Sequence, residues 1–318
     1  MNSRINTKTV NINLTQIDLK NIDFLVPSFE SLDSLIASIE QVGVLYPPVV
    51  KGINDANFIP VLGRRRIEAL KALRTSDLEV GIINPSQPDH ETYTMAFWDN
   101  LARIKGDAAV RAFVVKRFLE LAPKEILVKR IFPFINVPPK GPQLEKIKNI
   151  GRLELTILEA LSNGRIHEKS ALIVAALPAD QRQILLKLIY DLGLNSNKAF
   201  EVISHLNDLS IYRNESITDL LERSEVLRIL HDSNITVSEK ALQFRSLIKQ
   251  WAFPDFTNDQ EVFNKWLKGV GPPKNVTVRP AQSFEDESVT IEIRLDSFSK
   301  AKNFVNLIRK FQLDNHME

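Results

Sequence analysis

The sequence predicts an α+β protein made of several parts, and three observations support this prediction. The 318 residues exceed what one compact core usually holds. Residues 9–83 mix short strand-like runs with helical stripes, whereas helical periodicity dominates from residue 92 to residue 252. Strand-like alternation returns over residues 276–295, before one more helical stripe. We therefore expect a small mixed α/β domain, an all-α middle domain and a C-terminal ββα unit.

The first domain begins with a half-buried strand, because apolar and polar residues alternate over 9–14. A helix follows over residues 31–42, where Ser31 can cap the first turn and the apolar residues form one stripe. Gly43 is expected to end this helix. The other strands predicted in this domain are 49–50 and 78–83.

The stretch FIPVLGRRRIEALKAL, residues 58–73, is the most distinctive of the chain. Its first five residues form a short apolar run that contains Pro60, which predicts a short or edge strand. Gly63 permits a tight turn, and the apolar spacing after it predicts a helix that begins at about Arg64.

Arg64, Arg65 and Arg66 fall at the start of that helix, where the macrodipole and the unpaired N–H groups attract anions rather than cations. Three cations are unfavourable there in an isolated helix, but arginine forks pair with phosphate in a bidentate way. We therefore predict a phosphate site. The alternative is a solvated basic turn.

A second polar group follows on the helix predicted from Thr92. Asp99 and Asn100, with Arg103 one turn later, could hold a hydrated Mg²⁺ beside phosphates. The alternative is an ordinary solvated helix end.

Basic residues are concentrated in one region of the chain. Residues 103–152 contain 12 basic and 4 acidic residues, whereas the formal net charge of the whole chain is only +2. Such a local excess is typical of a nucleic-acid surface. The alternative is a basic helical bundle that binds nothing.

A helix–turn–helix is predicted inside this region, from a helix over 124–134, a breaker-rich turn over 136–142 and a second helix over 143–152. Gln143 and Asn149 lie on the outer face of the second helix and could read adenine edges. The residues that could contact DNA phosphates are Lys140, Lys146, Lys148 and Arg152.

Composition removes several classes of site. The chain has no cysteine, which excludes disulfides, thiolate metal sites and thiol nucleophiles. The five histidines are scattered and never fall at the spacing of a structural zinc site. The polar N-terminus and the lack of a run of about 18 apolar residues predict a cytoplasmic protein that does not enter a membrane.

The N-terminal part resembles the ParB partition family in four motifs, which occur in the family's order. They are the helix over 31–42, GVLYPPVVKG, GRRRIEALKAL and DNLARIKGDAAVRAF. Further on, LEALSNGRIHEKSALIVAAL resembles a helical pair of the same family. The resemblance implies a nucleoid-associated DNA-binding protein that forms homodimers and works with a partition ATPase.

The resemblance also implies a pocket for CTP with Mg²⁺, on a fold shared with sulfiredoxin, although sulfiredoxin activity itself would need a cysteine. The turn after Gly43 would hold the cytosine through its backbone. Mg²⁺ would lie at Asp99 and Asn100. The residues predicted to bind the nucleotide are Gly43, Val44, Leu45, Pro47, Gly63, Arg64, Arg65, Arg66, Asn100 and Arg103.

The sequence departs from the family's pattern in three places. Arg64 stands where the family usually has glutamate, and Glu68 stands where a basic residue is common. This exchange predicts CTP binding without the hydrolytic glutamate and leaves Asp99 and Glu68 as the candidate catalytic carboxylates. FLVPSFE over 24–30 replaces an arginine-bearing segment, and the proline-rich turn replaces a compact recognition-helix motif.

The predicted division is 1–104 for the nucleotide-binding domain, 105–210 for the helical domain, 211–270 for a helical segment and 271–318 for the ββα unit. The ββα unit is too small to bury its apolar face alone, so it packs on the bundle or on a second copy. Dimerisation of ParB proteins through their C-terminal ends favours the second copy. Other predicted features are helices over 178–209, 215–252 and 258–266 and a breaker over 252–257.

Three functions are left open by the sequence. The leading one is a ParB-like, CTP-responsive DNA-binding protein that acts in DNA partition or as a clamp around the duplex. The second is a phosphotransferase or nuclease on the same N-terminal fold. The third is a scaffold or transcription regulator that lacks nucleotide switching.

Overall fold

The fold is described by a computed structural model over residues 8–54, 56–281, 286 and 288–304. The apolar residues Val305, Ile308 and Phe311, which belong to the last predicted helix, lie outside these ranges. The α+β fold class predicted from the sequence is confirmed, with a small N-terminal sheet followed by a long helical region.

Four strands form the N-terminal sheet: β1 (Lys8–Asn13), β2 (Val49–Gly52), β3 (Phe58–Leu62) and β4 (Asp77–Ile83). The strand order is β1-β4-β2-β3. β2 runs parallel to β4, and the other two pairs are antiparallel, so the sheet is mixed. β3 lies at the edge, which accommodates Pro60 and confirms the predicted short edge strand.

Two helices complete this part: α1 (Asp33–Val42) and α2 (Arg64–Ala72). α1 ends at Gly43, whose φ of 71° suits glycine, and α2 begins at Arg64, both as predicted. The N-cap residue of α1 is Leu32, but Ser31 still takes part because its Oγ accepts a hydrogen bond from the Asp33 N–H at 3.1 Å.

Helices make up the chain from residue 89 to residue 270. They are α3 (Asp89–Asp99), α4 (Leu101–Gly106), α5 (Ala108–Leu121), α6 (Lys124–Arg130), α7 (Pro142–Gly151), α8 (Leu155–Ser162), α9 (Glu168–Ala175), α10 (Ala179–Asp191), α11 (Ser196–Arg213), α12 (Ile217–Leu221), α13 (Ser224–His231), α14 (Val237–Ala252) and α15 (Pro254–Val270). Over the described residues, no helix combines the length and the apolar character that crossing a membrane requires.

Two of the predicted helix boundaries are wrong. The helix predicted over 124–134 ends at Arg130, and Phe132–Ile135 form a 3₁₀ turn instead, because Pro133 has no N–H to donate to the preceding turn. The breaker predicted over 252–257 is replaced by α15, because the proline at Pro254 suits the first position of a helix.

Buried apolar side chains form three clusters. One lies between the sheet, α1 and α2, and another fills the bundle from α5 to α14. The cluster between them joins Phe24 and Val26 to side chains of α3, α5 and α6 and to Leu144 of α7. α5 contributes to this cluster and to the bundle, so it connects the two regions mechanically. The division of the chain into four domains stays a prediction.

The C-terminal region contains a hairpin of β5 (Val276–Pro280) and β6 (Val289–Ile293), followed by helical residues 298–304. The strands are antiparallel, with Val278 opposite Ile291. This confirms the predicted hairpin. Ile291 and Phe298 are exposed, and dimerisation through this unit stays a prediction.

Candidate functional site

Gly63 makes the junction between β3 and α2 possible. Its φ of 73° lies in the left-handed region that favours glycine. The guanidinium of Arg66 folds back over it, because a Cβ built at Gly63 would stand 2.5 Å from Arg66 Nη2. Glycine is therefore required here both by the backbone conformation and by the arginine above it.

The three arginines at the start of α2 each reach a different segment of the chain. Arg64 donates to the carbonyl oxygens of Leu19 and Asn21, the latter at 2.9 Å. Arg65 turns towards the segment before α1, and Arg66 donates to the carbonyl oxygen of Tyr46. Carbonyl acceptors thus compensate the crowding of three cations at a helix start.

A solvated basic turn does not describe this arrangement. The side chains of Arg64 and Arg65 are only 20% and 26% exposed. Arg64 Nε also donates to Glu68 Oε1 at 2.9 Å, one turn along α2. Arg64 and Glu68, which exchange charge relative to the ParB pattern, therefore form an internal ion pair. The prediction that Arg64 binds the nucleotide stays a prediction, and its contacts favour a structural role.

We expect Arg64→Ala to lower the free energy of unfolding by about 1–3 kcal/mol, because it removes three hydrogen bonds that hold residues 19–21 and Glu68. Chemical denaturation measures this change. Lys71→Ala, at the exposed end of the same helix, is the control with the same loss of charge. Unchanged stability in Arg64→Ala would contradict the structural role.

Arg65 binds the segment that leads into α1. Its Nη1 donates to Glu30 Oε2 at 2.6 Å, and its Nη2 donates to the carbonyl oxygen of Ser31 at 2.6 Å. The Glu30 side chain is 71% exposed, so this carboxylate reaches the arginine from the solvent side. Two residues that the sequence did not single out, Glu30 and Ser31, thus belong to the surroundings of the predicted phosphate motif.

Asn100 and Arg103 contact each other at the junction between α3 and α4. Arg103 Nη2 donates to Asn100 Oδ1 and, at 3.3 Å, to the carbonyl oxygen of Val26. Asn100 Nδ2 donates to the carbonyl oxygen of Ala96 at 2.8 Å. The amide of Asn100 is therefore occupied within the chain, whereas the neighbouring carboxylate of Asp99 is exposed.

Three buried donors near these contacts have no hydrogen-bond partner among the described residues: Arg65 Nε, Arg103 Nε and Ser28 Oγ. Ser28 lies on the short segment between Val26, which accepts from Arg103, and Ser31, which accepts from Arg65. Buried donors without partners are rare in folded proteins and call for a ligand. An anion with several oxygens could satisfy all three.

Electrostatics agree with an anion site at this position. The pKa of Arg103 is lowered, first by burial of its guanidinium and then by the nearby positive charge of Arg65. Two guanidinium groups that destabilise each other's charge in this way are stabilised by an anion placed between them. The sequence brought Arg65 and Arg103 together only through the family resemblance, because 37 residues separate them.

The turn after α1 lies beside the arginine motif. Leu45 and Tyr46 are 71% and 76% exposed, and the carbonyl oxygen of Tyr46 accepts from Arg66. The turn predicted to hold a base, which includes Gly43, Val44 and Pro47, is thus attached to α2 through an arginine side chain.

The predicted metal position has few ligands within the chain. No group of three or more His, Cys, Asp and Glu side chains suited to a metal ion occurs in the part of the chain that the structure describes. Asn100 Oδ1 already accepts from Arg103, which leaves Asp99 as the available carboxylate. A Mg²⁺ ion would therefore depend on oxygen ligands from a bound phosphate group.

The predicted DNA-binding residues lie on and around α7. Lys140, Gln143, Lys146, Asn149 and Arg152 are all exposed, while Leu144 and Ile150 on the opposite side are buried. Lys148 is partly buried and its Nζ pairs with Glu145 at 2.9 Å. This exposed face, which we call the α7 face, agrees with the helical spacing read from the sequence. The assignment as a helix–turn–helix stays a prediction.

Close packing on α5 fixes the position of α7. A Cβ built at Gly151 would stand 2.3 Å from the carbonyl oxygen of Ala112 and 2.9 Å from Lys116 Cβ. Only glycine allows this approach. The sequence contained the glycine, but its partner on α5 could not be read from local spacing.

Comparison with known proteins agrees with these two regions. Residues 2–101 match the family described as the ParB N-terminal domain. A nucleoid occlusion protein from Geobacillus sp. (strain WCH70) is 28% identical over 172 residues, which cover 52% of this chain and 57% of that protein. The chain is a divergent ParB-like protein.

Solved structures of low sequence identity are also similar. One is the C-terminally truncated chromosome-partitioning protein ParB from Caulobacter crescentus complexed with CTP-gamma-S, which is 18% identical with a TM-score of 0.27 and covers 57% of this chain and 99% of its own. Another is a Pnob8-like ParB-N domain, which is 15% identical with a TM-score of 0.35 and covers 79% of this chain and 99% of its own.

Proposed function

We propose that this protein is a CTP-responsive, ParB-like DNA-binding protein that acts in DNA partition or nucleoid occlusion. The observation that carries the proposal is the pair of partly buried guanidinium groups of Arg65 and Arg103, whose Nε atoms and the neighbouring Ser28 Oγ lack partners among the described residues. The matched family and the nucleoid occlusion relative support the biological setting.

Within the proposed nucleotide site, Arg65 and Arg103 bind the phosphates and Arg66 connects α2 to the base-binding turn. Gly63 allows the backbone to approach the phosphates closely. Backbone groups of the turn from Gly43 to Pro47 hold the cytosine. A Mg²⁺ ion, when bound, neutralises phosphate charge, and Asp99 is the side chain that would hold it.

The titration that tests the nucleotide site uses labelled CTP, with ATP and GTP as controls, in the presence and absence of Mg²⁺ and DNA, and it follows phosphate release. We expect saturable binding of CTP and weaker binding of ATP and GTP. We expect no release of phosphate, because Glu68 is paired with Arg64 and the family's glutamate is absent at position 64. Lack of binding to all three nucleotides would refute the proposal.

The proposed DNA surface is the α7 face. Lys140, Lys146 and Arg152 are exposed and, among the described residues, form no ion pair, so they can contact phosphates without first breaking an internal contact. Gln143 and Asn149 can reach base edges from the same face. Homodimerisation and a partition ATPase partner belong to this proposal as properties of the ParB family.

We expect the double variant Lys140→Ala, Lys146→Ala to lower DNA affinity and to reduce the slope of log K against log salt by about 2, because each lysine releases about one counterion. Fluorescence anisotropy over a salt series measures both quantities. The control is Lys187→Ala, Lys198→Ala, which removes the same charge from exposed positions on α10 and α11. Equal slopes in the two double variants would place the DNA surface elsewhere.

A phosphotransferase or nuclease is the second candidate, and phosphate release in the titration above would support it. Its carboxylates would be Asp99 and Glu68. The ion pair between Glu68 and Arg64 weakens this candidate, because a carboxylate held by an arginine is a poor proton acceptor. A scaffold without nucleotide switching predicts no nucleotide binding at all.

A further inference from the structure

Glu30 occupies a particular position at the candidate anion site. Its carboxylate binds Arg65 Nη1 at 2.6 Å, and it also lies close enough to Arg103 to influence the charge of that guanidinium. The chain therefore already holds one anion of its own beside the two arginines. An incoming polyanion needs the same guanidinium donors.

We propose that Glu30 is an internal competitor that a nucleotide triphosphate must displace from Arg65, and that it thereby sets the affinity of the site. The inference rests on the proposed nucleotide function. Glu30 neutralises one of the two guanidinium charges, so the site presents a net charge of about +1 rather than +2 to an incoming phosphate.

Displacement of Glu30 is inexpensive for the chain. The side chain is largely exposed, so the released carboxylate is hydrated at once, and exposed ion pairs contribute little to stability. Arg65 keeps its hydrogen bond to the Ser31 carbonyl oxygen during the exchange. The donors Arg65 Nε and Arg103 Nε, which Glu30 leaves without partners, gain them only from the incoming ligand.

The exchange also acts on the start of α1. Glu30 directly precedes Ser31, whose Oγ accepts from the Asp33 N–H and whose carbonyl oxygen accepts from Arg65. Release of Glu30 therefore frees the residue before the first turn of α1, the helix that leads into the base-binding turn. Occupation of the phosphate site and the position of that turn become linked through one carboxylate.

The experiment compares the full chain with its variants Glu30→Gln and Glu40→Gln by calorimetric titration with CTP and Mg²⁺ and with inorganic tripolyphosphate. Glu40→Gln is the matched control, because Glu40 is an exposed acid on α1 with no ion pair among the described residues. Thermal denaturation verifies that each variant is folded.

We expect Glu30→Gln to bind both probes roughly five- to tenfold more tightly than the unmodified chain, in line with the loss of one ion pair to a partly buried arginine. We expect Glu40→Gln to stay within about twofold. Tighter binding of tripolyphosphate as well as CTP shows that the effect concerns the phosphates.

Two results would overturn the inference. If the unmodified chain binds CTP and Glu30→Gln binds it equally or more weakly, Glu30 is not a competitor, although the proposed function stands. If none of the three proteins binds CTP or tripolyphosphate, both the inference and the proposed function fail. Binding by Glu30→Gln alone would support both.

Discussion

Arg65→Ala is expected to lower the affinity for CTP at least about 100-fold, which corresponds to about 2.7 kcal/mol. The substitution removes a guanidinium that is three-quarters buried and can donate two charge-assisted hydrogen bonds to phosphate, each worth about 1.5–3 kcal/mol. It also leaves Arg103 as a single cation at the site. Calorimetric titration with CTP and Mg²⁺ measures the change.

Lys71→Ala is the control for this prediction, because it removes the same charge from the exposed end of α2. We expect it to bind CTP within about twofold of the unmodified chain. Chemical denaturation tests whether Arg65→Ala remains folded after it loses the contacts to Glu30 and Ser31. A folded Arg65→Ala variant with CTP affinity within threefold of the unmodified chain would contradict the assignment of the site.

Gly151→Ala is expected to lower the free energy of unfolding by about 3 kcal/mol, the upper part of the range for an overpacked interior. The added methyl group would meet the carbonyl oxygen of Ala112 at 2.3 Å, a contact with backbone that no change of rotamer relieves. α7 would have to move away from α5. Chemical denaturation measures the loss, and DNA affinity should fall because the α7 face moves with its helix.

Gly106→Ala provides the matched control, because a Cβ at Gly106 meets no atom within 4 Å. This variant is expected to be neutral or to gain up to about 1 kcal/mol through the reduced entropy of the unfolded chain. If Gly151→Ala proved as stable as Gly106→Ala, the close approach of α5 and α7 would be wrong.

Local patterns in the sequence predicted the elements well. The proline in β3 indicated an edge strand, the glycine after it indicated the start of α2 at Arg64, and the alternation before residue 295 indicated the C-terminal hairpin. Each of these signals acts within a few residues, through backbone sterics or through the period of exposed and buried positions. Proline misled the prediction of α15, because the same residue that ends one helix can begin the next.

Long-range contacts were beyond the reach of local patterns. The phosphate motif was found from the three arginines, but their individual partners were not, because Arg64 reaches Asn21 and Arg66 reaches Tyr46 across more than a dozen residues. Glu30 and Ser28 were missed. A useful signal was present, since FLVPSFE stands where the ParB pattern carries an arginine, and an acid in that segment suggests a partner for the arginines of α2.

A continuous set of contacts connects the nucleotide site to the α7 face. Arg103 belongs to α4, which leads directly to Asp107, and Asp107 caps α5 by accepting from the N–H groups of Ala109 and Val110. The other oxygen of Asp107 accepts from Ser162 Oγ in α8. α5 in turn supports α7 at Gly151. This arrangement favours coupling between nucleotide and DNA, because a shift of Arg103 displaces the helix on which the DNA surface rests.

The most direct test of this account measures the Kd for a long duplex of mixed sequence, with and without saturating CTP and Mg²⁺, for the unmodified chain and for Arg65→Ala. Coupling between two sites of one protein is typically worth about 1–3 kcal/mol, so we expect CTP to change the DNA Kd of the unmodified chain at least about fivefold. We expect CTP to leave the DNA Kd of Arg65→Ala unchanged. An identical DNA Kd of the unmodified chain with and without CTP would contradict the account.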